Sequence, residues 1–462
     1  MSNNSEANYK NRMLARVIVE AKTPIAVGSG LKDILTDSLV LTDVNGLPYL
    51  PGTSIAGVVR HSMAERCEEE VMSNLWGFQK AKDGAGSRLI ISDARILNSK
   101  GEVCDGLVLR DEIEKDDLLC HYEELPIRQH VRIGSQGTAE AAGKFDQQVV
   151  FCGTRFCFEI ELLCKQPEPE AWQKVLDTIC GDGFRIGGGT RNGFGELEVK
   201  ELRQQTLDLG DAEQMEKYAR KSSNLRKSAE WWDDIAPTAK RDVDHRTWNR
   251  YDLCLQPADL FMFGSGMGDD EGDADMTAVT ESKVFWNGDG KQGSMVERQV
   301  VIPATSVKGA LSHRVAYYYN KSHRLFAGDP EAKTGDENPA VKALFGCGTN
   351  GGSIMRGNVI FSDIIQGTAK EKILNHVSID RFTGGAIEGA LFAEKPLWGD
   401  QQYALKILVS DAVDEESVEC LEMALRDVCN GLLPLGGGVN RGHGVFRCTD
   451  AKKNGEPFQI ER

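Results

Sequence analysis

Two kinds of hydrophobic spacing alternate along the first half of the chain. Apolar residues from Ile55 to Trp76 recur at helical intervals and stop at Gly77, a residue that commonly ends helices. Apolar residues between 156 and 162 instead alternate with polar ones, which is typical of a half-buried strand. The pattern predicts strands within 12–27, 89–91, 130–162 (two strands around a polar loop) and 184–199, and helices over 55–76 and 172–179.

The chain then repeats this order. Pro51 to His61 reads PGTSIAGVVRH, and Pro303 to His313 reads PATSVKGALSH. Four further landmarks pair in the same sequence: Gly77 with Gly346, Asp93 with Asp363, His130 with His376, and Gly187 with Gly436. A shared order of landmarks indicates an internal duplication. We therefore predict a first domain over 1–202, a polar linker over 203–249 and a second domain over 250–462.

The predicted order of elements in each half is strand, helix, hairpin, helix and strand. This order predicts an α+β fold of the βαββαβ kind. Such a fold has an antiparallel sheet with both helices on one face. The other face stays open in this prediction, and open sheet faces of this type often bind single-stranded RNA.

Composition and charge narrow the functional class. The 462 residues carry a formal net charge of −16, which argues against indiscriminate nucleic-acid binding but leaves room for a local basic groove. No apolar run approaches the roughly 18 residues of a membrane span, and the start lacks a signal-peptide pattern, so we expect a cytoplasmic protein without membrane contact. The 12 cysteines form no C-x-x-C pair and predict reduced core thiols rather than disulfides or a zinc site.

A glycine-rich turn closes each half: GGGTRNGFG over 187–195 and GGGVNRGHG over 436–444. Glycines let backbone amides approach phosphates, and the embedded arginines add positive charge. Neither turn is followed by Gly-Lys-Ser/Thr or opens a helix, which excludes a P-loop and a dinucleotide fingerprint. The alternative interpretation is a tight turn leading into an edge strand.

These motifs together resemble the RAMP superfamily of CRISPR proteins. The segments GLPYLPGTSIAGVVR, LWGF and HVSIDRFTGGAIEGALF and the terminal glycine turns carry the resemblance, which covers roughly 14–202 and 250–448. More narrowly, the chain is similar to two backbone subunits of a type III effector complex fused in one polypeptide. The resemblance implies ferredoxin-like cores, a grip on guide RNA, and β-hairpin thumbs at His130 to Phe145 and His376 to Phe392.

The resemblance also implies cleavage of complementary target RNA by an aspartate in the loop before the proline motif, with Mg²⁺ or another divalent metal. Asp37, in Thr36–Val40, matches that position and is the predicted catalytic and metal-binding residue. Asp33 is the less certain position. A turn-forming or capping role for Asp37 is the structural alternative.

In the second half, the run over 280–284 places Glu281 where the first half has Asp37. Asp273 or Asp275, in the preceding acidic run, could supply the carboxylate instead, although a solvated acidic loop is the simpler explanation. We expect weaker or absent cutting in this half.

Residues of the repeated motifs are the candidates for RNA contact, with guide RNA, complementary target RNA, and other RAMP and large subunits as partners. The candidates are Ser54, Arg60, His61, Arg132, Arg185, Arg191, Asn192, Ser306, Lys308, His313, Arg314, Arg381, Asn440, Arg441 and His443. Three alternatives stay open: a non-catalytic architectural subunit, a guide-processing endonuclease using His61 or His313, and a small-molecule enzyme with nucleotides on its glycine turns.

Overall fold

The computed structural model describes residues 9–32, 36–80, 83–133, 139–238, 247–269, 272–326, 328–348 and 354–461. Asp33 and the side chain of Arg132 lie outside the described part of the chain. The elements of the first half are β1 (Asn11–Ala21), α1 (Gly52–Ala64), α2 (Glu69–Trp76), β2 (Phe78–Lys80), β3 (Asp83–Ala85), β4 (Leu89–Ile91), β5 (Arg95–Ile96), α3 (Arg110–Lys115), β6 (Ile127–Ile133), β7 (Ala139–Gln148), β8 (Arg155–Cys164), α4 (Pro169–Cys180), β9 (Leu197–Asp208) and α5 (Ala212–Ala219).

The first half forms an antiparallel sheet in the order β4-β8-β1-β9, with β5 beside β8. This order places the first strand between the third and fourth strands of the βαββαβ unit, as in a ferredoxin-like fold. Helices α1 and α4 contact each other on one face. Ile55 and Val59 of α1 are fully buried there, which stabilises the packing by about 2 kcal/mol per side chain.

The second half repeats this topology. Its elements are β10 (Trp248–Pro257), β11 (Met276–Thr277), β12 (Thr280–Trp286), β13 (Gly293–Ile302), α6 (Ala304–Ser322), α7 (Pro339–Phe345), β14 (Gly346–Cys347), β15 (Met355–Arg356), β16 (Val359–Phe361), β17 (Ile364–Ile365), β18 (Lys370–Glu371), β19 (Leu374–His376), β20 (Phe392–Lys395), β21 (Leu397–Trp398), β22 (Tyr403–Ser410), α8 (Glu415–Cys429), β23 (Phe446–Lys453) and β24 (Glu456–Pro457). The sheet order β16-β22-β10-β23-β24 matches that of the first half strand for strand up to β23. The predicted fold class of two tandem ferredoxin-like domains is confirmed.

Both predicted thumbs are hairpins inserted before the third strand of their sheet. Strands β6 and β7 pair from Ile127↔Gln148 through His130↔Phe145. In the second half, β19 and β20 pair over three residues and end at His376↔Phe392. The imidazole rings of His130 and His376 stack on these phenylalanines at 4.6 and 4.8 Å between centroids, so the same pair closes the base of both thumbs.

The segment predicted as a polar linker is largely part of the first half. Strand β9 continues to Asp208, and the chain then crosses the face of the sheet opposite α1 and α4. Trp232 is buried there against Leu14 and Leu207. The first sheet therefore has no open face along this crossing, because the apolar side chains after β9 cover it.

Two further local predictions need correction. The helix predicted over 55–76 is two helices, because the chain turns after Ala64 and restarts at Glu69. Cys429 and Cys448 form a disulfide between the end of α8 and strand β23, so the prediction of reduced thiols alone is wrong for this pair.

The hairpin β12–β13 ties the two halves together. It belongs to the second half by sequence, but Val284 and Trp286 pack into the core of the first half. Val284 N donates to Cys152 O (2.9 Å), and the indole of Trp286 donates to Gly153 O (2.9 Å). A Cβ atom on Gly153 would lie 2.0 Å from Val284 O, so this close approach requires glycine. Within the described residues, no helix is long and apolar enough to cross a membrane.

Candidate RNA interface and cutting site

Each glycine turn is anchored to the chain that leaves the first strand of its sheet. Gly188 N donates to Ala26 O, and Gly437 N donates to Met262 O, both at 2.7 Å. Gly187 and Gly436 have positive φ, and a Cβ on either would lie 2.5 Å from the same carbonyl oxygens. The two turns therefore have one geometry, and its glycines are required by the close backbone contact.

The first turn reaches beyond its own half to the start of α6. Asp363 Oδ1 accepts a hydrogen bond from Ala304 N (2.8 Å), which caps this helix. Asp363 N in turn donates to Gly193 O (3.2 Å), and a Cβ on Gly193 would lie 2.1 Å from the Asp363 carboxylate. The first glycine turn therefore packs beside the proline motif of the second half, rather than beside that of its own half.

This contact brings positive side chains of both halves together. Arg191 of the turn donates to Gly357 O (2.9 Å), and its neighbour Asn192 accepts a hydrogen bond from Lys308 Nζ of α6 (3.3 Å). Arg356, which the sequence did not single out, donates to His61 Nε2 of α1 (3.2 Å). We call Arg191, Lys308, Arg356 and His61, with Asn192, the junction cluster.

The electrostatics of the junction cluster favour an anion. Burial and the neighbouring Arg356 and Arg185 lower the pKa of Arg191 to about 10, and Glu65 only partly offsets this. Burial and Arg191 lower the pKa of Lys308. Burial is the first cause of both shifts and neighbouring cations the second, so the charged forms of these two side chains are disfavoured among the described residues. A phosphate group between them would favour the charged forms.

Other predicted RNA contacts divide by exposure. Arg60, His61, His313, Arg381 and Asn440 are exposed, and Ser54 and Ser306 lie half-buried in the first turns of α1 and α6. Arg314 is partly engaged, donating to Leu432 O (3.0 Å). Arg185 is 4% exposed and donates to Glu196 (3.1 Å) and Ser362 (2.7 Å). The structure therefore places Arg185, a predicted RNA contact, in an ion pair within the first half and in a hydrogen bond across to the second half.

Asp37 lies at the base of the first thumb. Its carboxylate is exposed, it follows the buried Thr36, and its Oδ2 accepts a hydrogen bond from Asp146 N of β7 (3.2 Å). The next residue, Ser38, forms a parallel bridge with Gln147. Asp146 was missed by sequence reasoning, although its place directly after the thumb Phe145 was a usable signal. Its Oδ1 atom is buried and has no hydrogen-bond partner within the described residues.

Glu281 occupies a different environment from Asp37. It lies in β12, is 8% exposed, and forms an ion pair with the buried Arg128 of the first thumb. Arg128 also lies 3.3 Å from Asp363, so Glu281 belongs to a buried network between the halves. The structure therefore places Glu281, the predicted counterpart of Asp37, as a buried and paired carboxylate rather than an exposed one.

The model of the RAMP superfamily matches residues 18–198 and 285–447, which together exceed half of the chain. The chain belongs to the RAMP superfamily. A search of curated proteins finds no match. Membership implies a CRISPR-associated RNA-binding subunit, and the two matched regions correspond to the two ferredoxin-like halves.

The second RAMP half has a buried charged cluster at its thumb base. Glu394 is fully buried, and it accepts hydrogen bonds from His376 Nε2 (2.8 Å) and from Arg441 of the glycine turn. His443, predicted to contact RNA, is 4% exposed and lies 3.7 Å from Glu394. The structure therefore places His443 in a buried cluster that joins the thumb to the glycine turn.

The donor set near Asp37 bears on the metal expected for RAMP nucleases. Within the described ranges, no group of three or more histidine, cysteine, aspartate or glutamate residues is placed to hold a metal ion. Mg²⁺ commonly binds through one or two carboxylates, with water and substrate phosphates completing its shell. The exposed Asp37 fits this mode, in which RNA supplies part of the coordination, and the described residues do not form a resident metal cage.

Proposed function

We propose that this protein is a guide-RNA-binding backbone subunit of a type III CRISPR interference complex, and that it cuts complementary target RNA with Asp37 as the catalytic residue. The observation that carries the proposal is the junction cluster, in which cations from two RAMP domains converge and Glu65 only partly offsets their charge. A continuous guide strand running along the chain would pass this junction.

Guide binding at the junction rests on phosphate contacts. Arg191 and Lys308 provide charge, and Asn192 positions the ammonium group of Lys308 between turn and helix. Contacts of this kind hold the RNA backbone without reading its sequence, which is left to base pairing. The exposed Arg60 and His61 on α1 extend the positive surface on the side of the first half.

Cutting at Asp37 follows from its position beside the thumb. A thumb that displaces a base of the target strand distorts the backbone and can align a ribose 2′-hydroxyl with its own phosphate. Asp37 accepts the hydrogen bond of that hydroxyl and orients it for in-line attack. The O2′–P bond forms as the P–O5′ bond breaks; the 2′-proton passes to the carboxylate or to water, and O5′ takes a proton from water. The products are a 2′,3′-cyclic phosphate and a 5′-hydroxyl.

A divalent metal, Mg²⁺ or another ion, held by Asp37 and the RNA phosphates would neutralise negative charge that develops on the phosphate oxygens. The hydrogen bond from Asp146 N to Oδ2 fixes the orientation of the Asp37 carboxylate toward the thumb. The chain itself therefore positions the RNA backbone and contributes one carboxylate charge to the cutting site.

Other RAMP subunits and a large subunit are the proposed protein partners, in the cytoplasm where guide and transcript meet. Asp93 caps α1 through Gly52 N (2.9 Å), as Asp363 caps α6. Its side chain is 41% exposed, whereas that of Asp363 is 2% exposed beneath the first glycine turn. A glycine turn from a preceding RAMP subunit would cover Asp93 in the same way.

The test is cleavage of a labelled complementary RNA by the complex purified with its guide. Asp37→Asn keeps an acceptor for Asp146 N but removes the charge, and we expect it to abolish one cut while guide binding stays unchanged. Asp117→Asn, at an exposed acid of the acidic insertion, is the matched control and should cut normally. Guide binding without any cleavage attributable to this chain would instead establish a purely architectural subunit.

A further inference from the structure

We infer that the second half carries its own cutting centre and that Asp275 is its carboxylate. The inference rests on the proposed function of Asp37 and extends it to the other RAMP domain. Asp275 lies directly before β11, on the chain that returns toward the thumb base of the second half.

Main-chain contacts place Asp275 at the position that Asp37 holds in the first half. In each half a Gly-Ser-Gly turn follows the first strand, at 28–30 and at 264–266. The serine nitrogen of each turn donates to the carbonyl two residues after the aspartate, Ser29 to Leu39 and Ser265 to Thr277, both at 2.9 Å.

The next residues along both chains also correspond. The first glycine of each turn bridges to the residue three positions after the aspartate, as Gly28↔Val40 and Gly264↔Ala278. One residue further on, Leu41 N donates to Val27 O (2.8 Å) and Val279 N donates to Phe263 O (2.7 Å). Three consecutive positions therefore share one backbone path in both halves.

The contact with the thumb is the same as well. Asp37 Oδ2 accepts from Asp146 N (3.2 Å), and Asp275 Oδ2 accepts from Ala393 N (2.8 Å). Asp146 and Ala393 each follow the phenylalanine that stacks on the thumb histidine. The residue after each aspartate then forms a parallel contact with the returning thumb strand, Ser38 with Gln147 and Met276 with Glu394.

Exposure agrees with this correspondence. Thr36 and Ala274, the residues before the two aspartates, are each 5% exposed, while both aspartates face solvent. The likeness of the runs 36–40 and 280–284 aligned Glu281 with Asp37. That likeness is misleading because the hairpin β12–β13 is inserted between Asp275 and Pro303 and carries Glu281 into the first half.

The reaction at Asp275 is the transesterification described for Asp37. A second 2′-hydroxyl attacks its adjacent phosphorus, O5′ leaves and is protonated by water, and the 2′-proton passes to Asp275 or solvent. The two centres differ in neighbouring groups, since Asp146 and Gln147 of the first half correspond to Ala393 and Glu394 in the second. One chain therefore makes two separate cuts in a single target strand.

The test compares cut positions along one complementary RNA, using the complex purified with guide and with a divalent metal added. The variants are Asp37→Asn, Asp275→Asn and the double variant, each keeping an acceptor for the thumb amide. We expect the unchanged protein to cut at two positions. Each single variant should lose a different one by at least 100-fold, and the double variant should lose both. Asp273→Asn, an exposed neighbour in the same loop, is the control and should keep both cuts.

Guide retention and thermal unfolding, measured on every variant, separate loss of chemistry from loss of assembly. If Asp275→Asn leaves every cut intact, or if the unchanged protein makes only the cut that depends on Asp37, the inference is overturned while the proposed function stands. If the unchanged protein binds guide and target but makes no cut, the proposed cleavage function itself fails.

Discussion

Replacing Lys308 by methionine should affect the free protein and its RNA complex in opposite directions. Methionine has a similar length and no charge. Burial and then Arg191 lower the pKa of Lys308, so its charge is unfavourable in the folded protein without RNA. We expect Lys308→Met to unfold at the same or a higher temperature than the unchanged protein, yet to bind RNA more weakly.

The magnitudes follow from the contacts of Lys308. Each unit of lowered pKa corresponds to about 1.4 kcal/mol of unfavourable free energy. The variant also loses the hydrogen bond to Asn192 (3.3 Å), which contributes about 0.5–1.5 kcal/mol. Removing the buried charge offsets this loss, so we expect the unfolding free energy to be unchanged or higher. Losing one phosphate contact to a single strand reduces the slope of log affinity against log salt by about 0.7. When the salt concentration rises from about 50 to 200 mM, the RNA affinity of the unchanged protein should therefore fall by a factor about 2.6 times larger than that of the variant.

Thermal unfolding without RNA and anisotropy titrations with single-stranded guide RNA at three salt concentrations provide both measurements. Lys100→Met, at an exposed turn, is the control and should change neither quantity. An unchanged salt slope in Lys308→Met would refute the assignment of the junction cluster as a phosphate site. A loss of stability with unchanged RNA affinity would show instead that Lys308 has a structural role.

Two buried carboxylates give further predictions. Burial opposes the charge of Glu394, but hydrogen bonds from Arg441 and His376 outweigh it and lower its pKa. Glu394→Gln should therefore lower the unfolding free energy by about 3 kcal/mol at neutral pH. This difference should shrink below about pH 4, as the carboxylate of the unchanged protein becomes protonated. Urea unfolding at both pH values tests this, and Glu388→Gln, at an exposed position, is the control. Burial raises the pKa of Asp363 to about 6 despite Arg128. Its folded form then binds more protons than its unfolded form between about pH 4 and 6. As the pH rises through that range, the unfolding free energy of the unchanged protein should therefore fall by up to about 3 kcal/mol relative to that of Asp363→Asn. A difference between the two proteins that does not vary with pH would contradict this.

The topology could be predicted from the sequence because it depends on local signals repeated in order. The proline motif, the glycine turn and the thumb histidine each lie at the same place in both halves, so five short stretches were enough to define two βαββαβ units. The side-chain stack of His130 on Phe145 also recurs as His376 on Phe392. Local chemistry and chain order were sufficient to predict those parts of the fold in which each half packs only against its own residues.

Contacts between the halves could not be predicted in this way. The ion pair of Arg128 with Glu281 joins positions separated by 153 residues, and the likeness of the run 280–284 to 36–40 gives no sign of it. Strand β12 looks like the continuation of an acidic loop, although its Trp286 belongs to the core of the first half. The correspondence of Asp275 with Asp37 is hidden for the same reason, since the inserted hairpin changes the distance to the proline motif without changing the path of the chain beside the thumb.

The net charge of −16 and the proposed RNA grip are compatible because of where the carboxylates lie. Buried carboxylates are matched by cations: Glu196 by Arg185 and Lys406, and Glu281 by Arg128. The surplus negative charge lies in exposed runs such as 411–416. Negative potential over these runs repels a polyanion, whereas at the junction burial and then neighbouring arginines lower the pKa values of Arg191 and Lys308. The proposed binding of RNA at the boundary between the two domains would therefore be favoured over binding at the acidic surface.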